Sequence, residues 1–156
     1  MNNKKTAARH IRVFAISWLA AMALLVASLV WRDNTPLATQ LILAAAVVGI
    51  ALIFGWGGFY YLEISSDKEA FTIKYFNLFP MGREYKAMRL PFSRYRKHEV
   101  STKLGGLFHY LSLYEETGHG VARYPALGLT ALSAAEREEI IRFFKKMEKS
   151  TPHASA

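Results

Sequence analysis

Two apolar runs, Val13 to Trp31 and Leu37 to about Tyr61, are separated only by Arg32, Asp33, Asn34, Thr35 and Pro36, and they constrain this chain more than anything else in it. At about 1.5 Å rise per helical residue the first run reaches roughly 28 Å, close to the ~30 Å hydrocarbon core of a bilayer. A segment in lipid must satisfy its backbone polar groups internally, so two such runs joined by a tight loop predict an antiparallel helical hairpin, not strands. Neither run contains Asp, Glu, His, Lys or Arg, which argues against an ion pathway or proton relay.

The positive-inside rule orients the hairpin. Lys4, Lys5, Arg9 and Arg12 precede the first span, Lys68 and Lys74 follow the second, and the loop offers one Arg beside one Asp. Both termini are therefore expected in the cytoplasm. Trp31 and the group Trp56, Tyr60, Tyr61 suit the two interfacial belts. A cleaved signal peptide ending at Ala21-Met22-Ala23 is disfavoured, because apolar residues continue for eight further positions to Trp31, past the usual h-region of about 7 to 15 residues.

Small residues recur at four-residue spacing within the spans: Ala23 with Ala27, Ala45 with Gly49, and Ala51 with Gly55. Such pairs let helix backbones approach closely, within the hairpin or between two copies.

From Glu63 onward the chain is polar and carries fifteen Lys/Arg against eleven Asp/Glu, a share of the overall net charge of +8. The nearest anionic partner for a membrane protein is the headgroup layer, ahead of nucleic acid. Cysteine is absent, which excludes disulfides and thiolate metal sites.

Gly55-Trp56-Gly57-Gly58 predicts the end of the second helix. Tyr60, Leu62 and Ile64 then alternate with Tyr61, Glu63 and Ser65, and Phe71, Ile73 and Tyr75 with Thr72 and Lys74, across a turn at Ser66 to Glu69. These read as a hairpin with one covered face. Further strands are expected at Tyr85 to Leu90 after a Pro80-Met81-Gly82 turn, and at Tyr95 to Val100 with Arg96, His98 and Val100 opposite Tyr95, Lys97 and Glu99. Two more are expected, at Leu107 to Tyr114 after Gly105-Gly106 and at Val121 to Tyr124 before Pro125. Ser133 with Glu136 fits a capping box. The helix it opens carries an apolar stripe of Ile140, Ile141, Phe144 and Met147, with Glu136, Glu138 and Glu139 early and Lys145, Lys146 and Lys149 late, as the macrodipole favours.

The organisation expected is a basic arm (1–12), a hairpin (13–61, with spans at about 13–31 and 37–58), one small domain (62–149) and a tail (150–156). The fold class is α+β: a transmembrane hairpin, then a small antiparallel β domain closed by one amphipathic helix. Six or seven short strands followed by one helix resemble pleckstrin-homology-like (PH-like) domains. The pattern is similar to bacterial PH-like proteins in which a two-span hairpin precedes the domain. The likeness rests on the Tyr60 to Tyr75 hairpin, on Arg89-Leu90-Pro91-Phe92-Ser93-Arg94, and on Leu132-Ser133-Ala134-Ala135-Glu136-Arg137. It implies a bacterial inner-membrane location and a fold, but no phosphoinositide ligand.

Three constellations could carry function. Arg83, Lys86, Arg89, Arg94, Arg96, Lys97 and Lys103 stand against only Glu84 and Glu99 over twenty-one residues, a candidate contact for headgroups or a protein partner, with an ordinary solvated face as the alternative. His98, His109 and His119, with Glu115 and Glu116 nearby, are the candidates for metal or acid-base work, at separations matching no ligand pattern. Tyr75, Phe76, Phe79, Tyr85, Phe92 and Tyr95 interleave with the basic residues, a pattern that on a soluble protein would point to single-stranded nucleic acid and that here is read as ordinary strand and membrane-interface aromatics. No nucleophile-elbow, zinc-helix or phosphate-loop motif occurs. The reading reached is a membrane-anchored interaction or scaffold module with no catalytic activity, cofactor or metal of its own, contacting anionic lipid headgroups, a protein partner or, as a homodimer, a second copy of itself. The alternatives are a small subunit of a secretion or transport complex, or a membrane-surface enzyme using His98 or His109.

Overall fold

A computed structural model describes residues 1–80 and 83–150; Met81 and Gly82 of the expected turn, the Lys149 side chain and the tail from 151 lie outside the described residues. The first helix, α1 (Lys4–Val30), is joined through a 3-10 turn at Arg32–Asn34 to α2 (Leu37–Trp56). Pro36 caps α2; it has no N–H to leave unpaired, and its carbonyl accepts from Thr39 and Gln40. Both helices are long and apolar enough to cross a membrane, and only 11% and 17% of their most apolar windows is buried within the chain. A core helix of a water-soluble domain would be covered by its own protein. Phe14 stacks on Phe54 at 4.3 Å between ring centroids, and Gln40 Nε2 donates to the Ser28 carbonyl at 3.4 Å near the loop.

The helix α1 begins nine residues before the apolar run does. With Phe14 beside Phe54, Arg12 lies near the level of Trp56, and the turns before Arg12 continue past the end of α2 into the β domain. Lys4 and Lys5 are poor company for the positive end of the helix dipole. The Glu136 carboxylate comes to that end instead, 3.0 Å from the Thr6 hydroxyl.

Seven strands follow among the described residues. Strands β1 (Tyr60–Ser66), β2 (Ala70–Asn77) and β3 (Lys86–Pro91) form one antiparallel sheet in consecutive order. Strands β4 (Tyr95–Lys103), β5 (Phe108–Thr117) and β6 (Gly120–Arg123) form the other, with the two-residue β7 (Leu127–Gly128) on β5. The core lies between the sheets and under α3 (Ala134–Ser150): Leu62, Ile64, Phe71 and Ile73 from one sheet meet Leu111, Leu113 and Leu127 from the other, and Ile140 and Phe144 close it from the helix. The capping box forms as expected, with Ser133 N donating to Glu136 Oε2 at 2.7 Å and Glu136 N to Ser133 Oγ at 3.2 Å. One carboxylate thus serves the N-termini of two helices.

The alternation expected in β4 fails at its start. A bulge between Tyr95 and Lys97 adds a residue, so Tyr95 and His98 both turn inward, while Val100 is exposed. A bulge re-aims side chains in this way, and period-two reading cannot see it. Leu107, expected to open a strand, lies in the β4–β5 turn instead. Strand β7 has no alternating pattern to reveal it.

The chain passes from α2 to β1 through only Gly57, Gly58 and Phe59. Gly58 has φ +72°, and a Cβ there would meet the Tyr110 ring at 2.8 Å; a Cβ on Gly128 would strike the Gly58 carbonyl. Backbone lies on backbone at this crossing. At the other end of the chain Asn3, almost fully buried, accepts from Leu62 N at 2.9 Å and donates to the Tyr60 carbonyl at 3.0 Å. Met1 exchanges hydrogen bonds with Ile64, at 2.9 Å each way. The edge of β1 is therefore occupied by the chain's own N-terminal residues.

Gly128→Ala should cost about 2 to 4 kcal/mol, because the obstacle is backbone and cannot rotate aside. Gly49→Ala, with nothing within 4 Å, should be neutral or slightly stabilising. Thermal unfolding of the detergent-solubilised chain, compared for the two variants, checks this ordering.

Candidate functional site

The basic cluster does not form one face. Lys86 and Arg89 lie on β3 in the first sheet; Arg96, Lys97 and Lys103 lie on β4 in the second, and Arg94 sits in the 3-10 turn between them. Most are paired: Lys86 with Glu84 at 2.8 Å, Arg89 with Asp67 at 3.0 Å, Arg94 with Glu115 at 3.4 Å, Arg96 with Glu116 at 3.0 Å and Lys97 with Glu99 at 2.7 Å. Arg83 lies over the Phe76 ring and donates to the Leu78 carbonyl, and Lys103 lies over the Tyr110 ring. Three of the five carboxylates, Asp67, Glu115 and Glu116, come from outside the basic segment, so no count along the sequence could match them to it. Exposed pairs of this kind are worth about 0 to 1 kcal/mol each and can be exchanged for other partners.

Strand register separates the cluster further. Lys103 faces Phe108, whose ring abuts Gly57 at the end of α2, whereas Lys97 faces Tyr114, and Arg94 and Arg96 reach Glu115 and Glu116. Tyr114 lies six positions along β5 from Phe108, roughly 20 Å along the strand. Arg83 and Lys103 thus sit by the helix junction, and Arg94, Arg96 and Lys97 at the far end of the second sheet. Strand β4 is the outer strand of that sheet. Its charges are what keeps an open edge from pairing indiscriminately.

At the same far end, Glu115 accepts from the Tyr124 hydroxyl at 2.6 Å as well as from Arg94. Bonding to a carboxylate, with burial second, pushes the Tyr124 phenol up to about 12. This tyrosine lies beyond β6, and its pairing depends on the β5–β6 register, which the sequence pattern does not reveal.

The three histidines are not brought together. His119 is exposed in the β5–β6 turn, and the backbone of His109 is held by Thr130 Oγ1 and Leu129 N. Among the described residues no three His, Cys, Asp or Glu side chains group as metal ligands would. His98 is the engaged one: its Nδ1 lies 3.0 Å from the Tyr95 hydroxyl and 3.2 Å from Glu148 Oε2, and its ring packs against Phe144. When neutral, Nδ1 can accept from Tyr95; when protonated, it can only donate, and Glu148 is the acceptor at hand. Burial, with help from Lys145 and against Glu148, holds the imidazole below its ordinary value. Burial likewise pushes the Tyr95 phenol upward. The trio ties β4 to α3.

Of the small residues in the spans, Ala23 and Ala45 are exposed, Ala27 and Ala51 half-buried, Gly49 open on its Cβ side, and Gly55 3.9 Å from the Phe79 ring. Gly57, Gly58 and Gly128, at the crossing described above, make the close backbone approaches. Gly128 lies about seventy residues from its partner, and no local spacing points to it.

The chain matches no family model, no curated protein and no solved structure.

His98 supplies a pH test. The unfolded imidazole takes a proton near pH 6.5 and the folded one resists it, so its contribution to stability is complete above about pH 6.5 and declines as pH falls. The unfolding midpoint of the solubilised chain should therefore drop between about pH 7 and 5, and His98→Gln should flatten that drop. Equal pH slopes in the two proteins would contradict it.

Proposed function

We propose that this protein is a bacterial inner-membrane protein whose α1–α2 hairpin crosses the bilayer with both termini in the cytoplasm, and whose β domain is a PH-like interaction module held against the inner leaflet. The observation that carries this reading is the absence of a linker. Three residues join α2 to β1, and Met1 and Asn3, leading into α1, hydrogen-bond to β1. A domain joined at both ends of a hairpin cannot tumble freely, and its surfaces keep a set direction relative to the membrane. A module that only needed tethering could hang from a flexible segment.

Within this reading the basic residues divide by place. Arg83 and Lys103, with Arg9 and Arg12, belong to the headgroup side, where each is worth up to about 1 kcal/mol near an anionic surface. Arg94, Arg96 and Lys97 lie further along the sheet than the ~8 Å over which physiological salt screens charge. We assign them, with the outer edge of β4, to a protein partner that can take over their exposed ion pairs.

The test is a photo-crosslinker at Lys97 in native membranes. It should yield a discrete protein adduct whose amount falls several-fold with Arg94→Gln and Arg96→Gln and again in high salt. Adducts to lipid alone would refute the protein contact, and a carboxyl-terminal reporter active only outside the cytoplasm would refute the topology.

A further inference from the structure

The β4–β5 turn is built unlike a turn that meets water. Three successive residues, Leu104, Gly105 and Gly106, have positive φ of 49°, 64° and 94°. The two glycines adopt such angles freely, but a leucine pays a steric penalty there that asparagine or glycine would largely avoid. Leu104 gains nothing in return within the chain, being 70% exposed, and Leu107 is 71% exposed. No Asp or Glu occurs from Val100 to Phe108, and Lys103 is the single charge. Two bare leucines at a tip flanked by a lysine make a poor hydrophilic turn.

Its position supplies the reason. The residue after the tip, Phe108, packs edge-on to Phe59 with centroids 6.4 Å apart, and its ring would lie 2.8 Å from a Cβ on Gly57. Two residues on, the Tyr110 hydroxyl donates to the Trp56 carbonyl at 3.1 Å. The tip is thereby fastened beside the end of α2, where Trp56 stands 77% exposed and an apolar groove of Ala51, Leu52, Gly55 and Phe79 opens on the helix flank.

We propose that the tip Leu104-Gly105-Gly106-Leu107 is a wedge seated in the bilayer leaflet where α2 ends, with both leucines among the acyl chains near the headgroups and Lys103 at the phosphate level. The occupant is lipid because the patch continues the surface of the apolar helix it abuts. A short apolar insertion beside a basic residue is how proteins commonly sit in the interface. The wedge and the hairpin would together hold the second sheet upright on the membrane. The proposal rests on the hairpin spanning the bilayer, and the test separates the two.

The chain has no cysteine, so single cysteines can carry an environment-sensitive fluorophore without background. Three are placed in the full-length protein in liposomes containing spin-labelled lipid: Ala23→Cys in the hairpin, Leu107→Cys at the tip, and His119→Cys in the exposed turn at the other end of β5. Expected is strong quenching at 23 by deep spin labels, several-fold quenching at 107 by shallow ones, and none at 119. Quenching at 23 with 107 behaving like 119 overturns the wedge and leaves the hairpin in the membrane. A tip label that is shielded from water yet unquenched by lipid means that protein covers it, and also overturns the wedge. Absence of quenching at 23 removes the membrane reading and the wedge with it.

Discussion

The crossing of Gly58 over Gly128 is the contact on which the rest of the arrangement turns. It lets the backbone leaving α2 lie directly on the backbone of β7, and β7 is paired to β5, so the hairpin is joined to the second sheet as well as to β1. Any side chain there would push the helix end away from the domain. Phe108 against Gly57 and Tyr110 on the Trp56 carbonyl surround the crossing and depend on its closeness.

The opposite side of the junction is closed by polar groups. Asn3 uses both ends of its amide in place of a strand residue's N–H and C=O, satisfying part of the β1 edge that would otherwise be left open. Glu136 caps α3 and stands at the N-terminus of α1, offsetting two lysines in an unfavourable place. The small β domain is thus completed by residues that precede the first helix.

This construction changes what the positive charge means. A net excess along the sequence reads as a basic surface, but folding brings Asp67, Glu115 and Glu116 to Arg89, Arg94 and Arg96 and spreads the remainder over two sheets. Arg83 and Lys103, which lie over aromatic rings, remain at the junction, together with apolar groups. The second sheet therefore has two ends of different character: a greasy one at the helices and a polar, ion-paired one at Arg94 to Lys97.

The length of two uncharged apolar runs determined the two apolar helices, and local periodicity determined the strands with Leu62, Ile64, Phe71, Ile73, Leu111 and Leu113 turned inward and the capped amphipathic helix, because burial repeats with the geometry of each element. Tertiary structure decided the rest. The bulge that turns Tyr95 and His98 inward together, the carboxylates that neutralise the arginines, the capture of Asn3 by β1 and the meeting of Gly58 with Gly128 all join residues distant in the chain or shift a register by one. A one-residue shift or a contact across seventy residues leaves no periodic trace in a sequence, since each is set by which surfaces pack together once the elements exist.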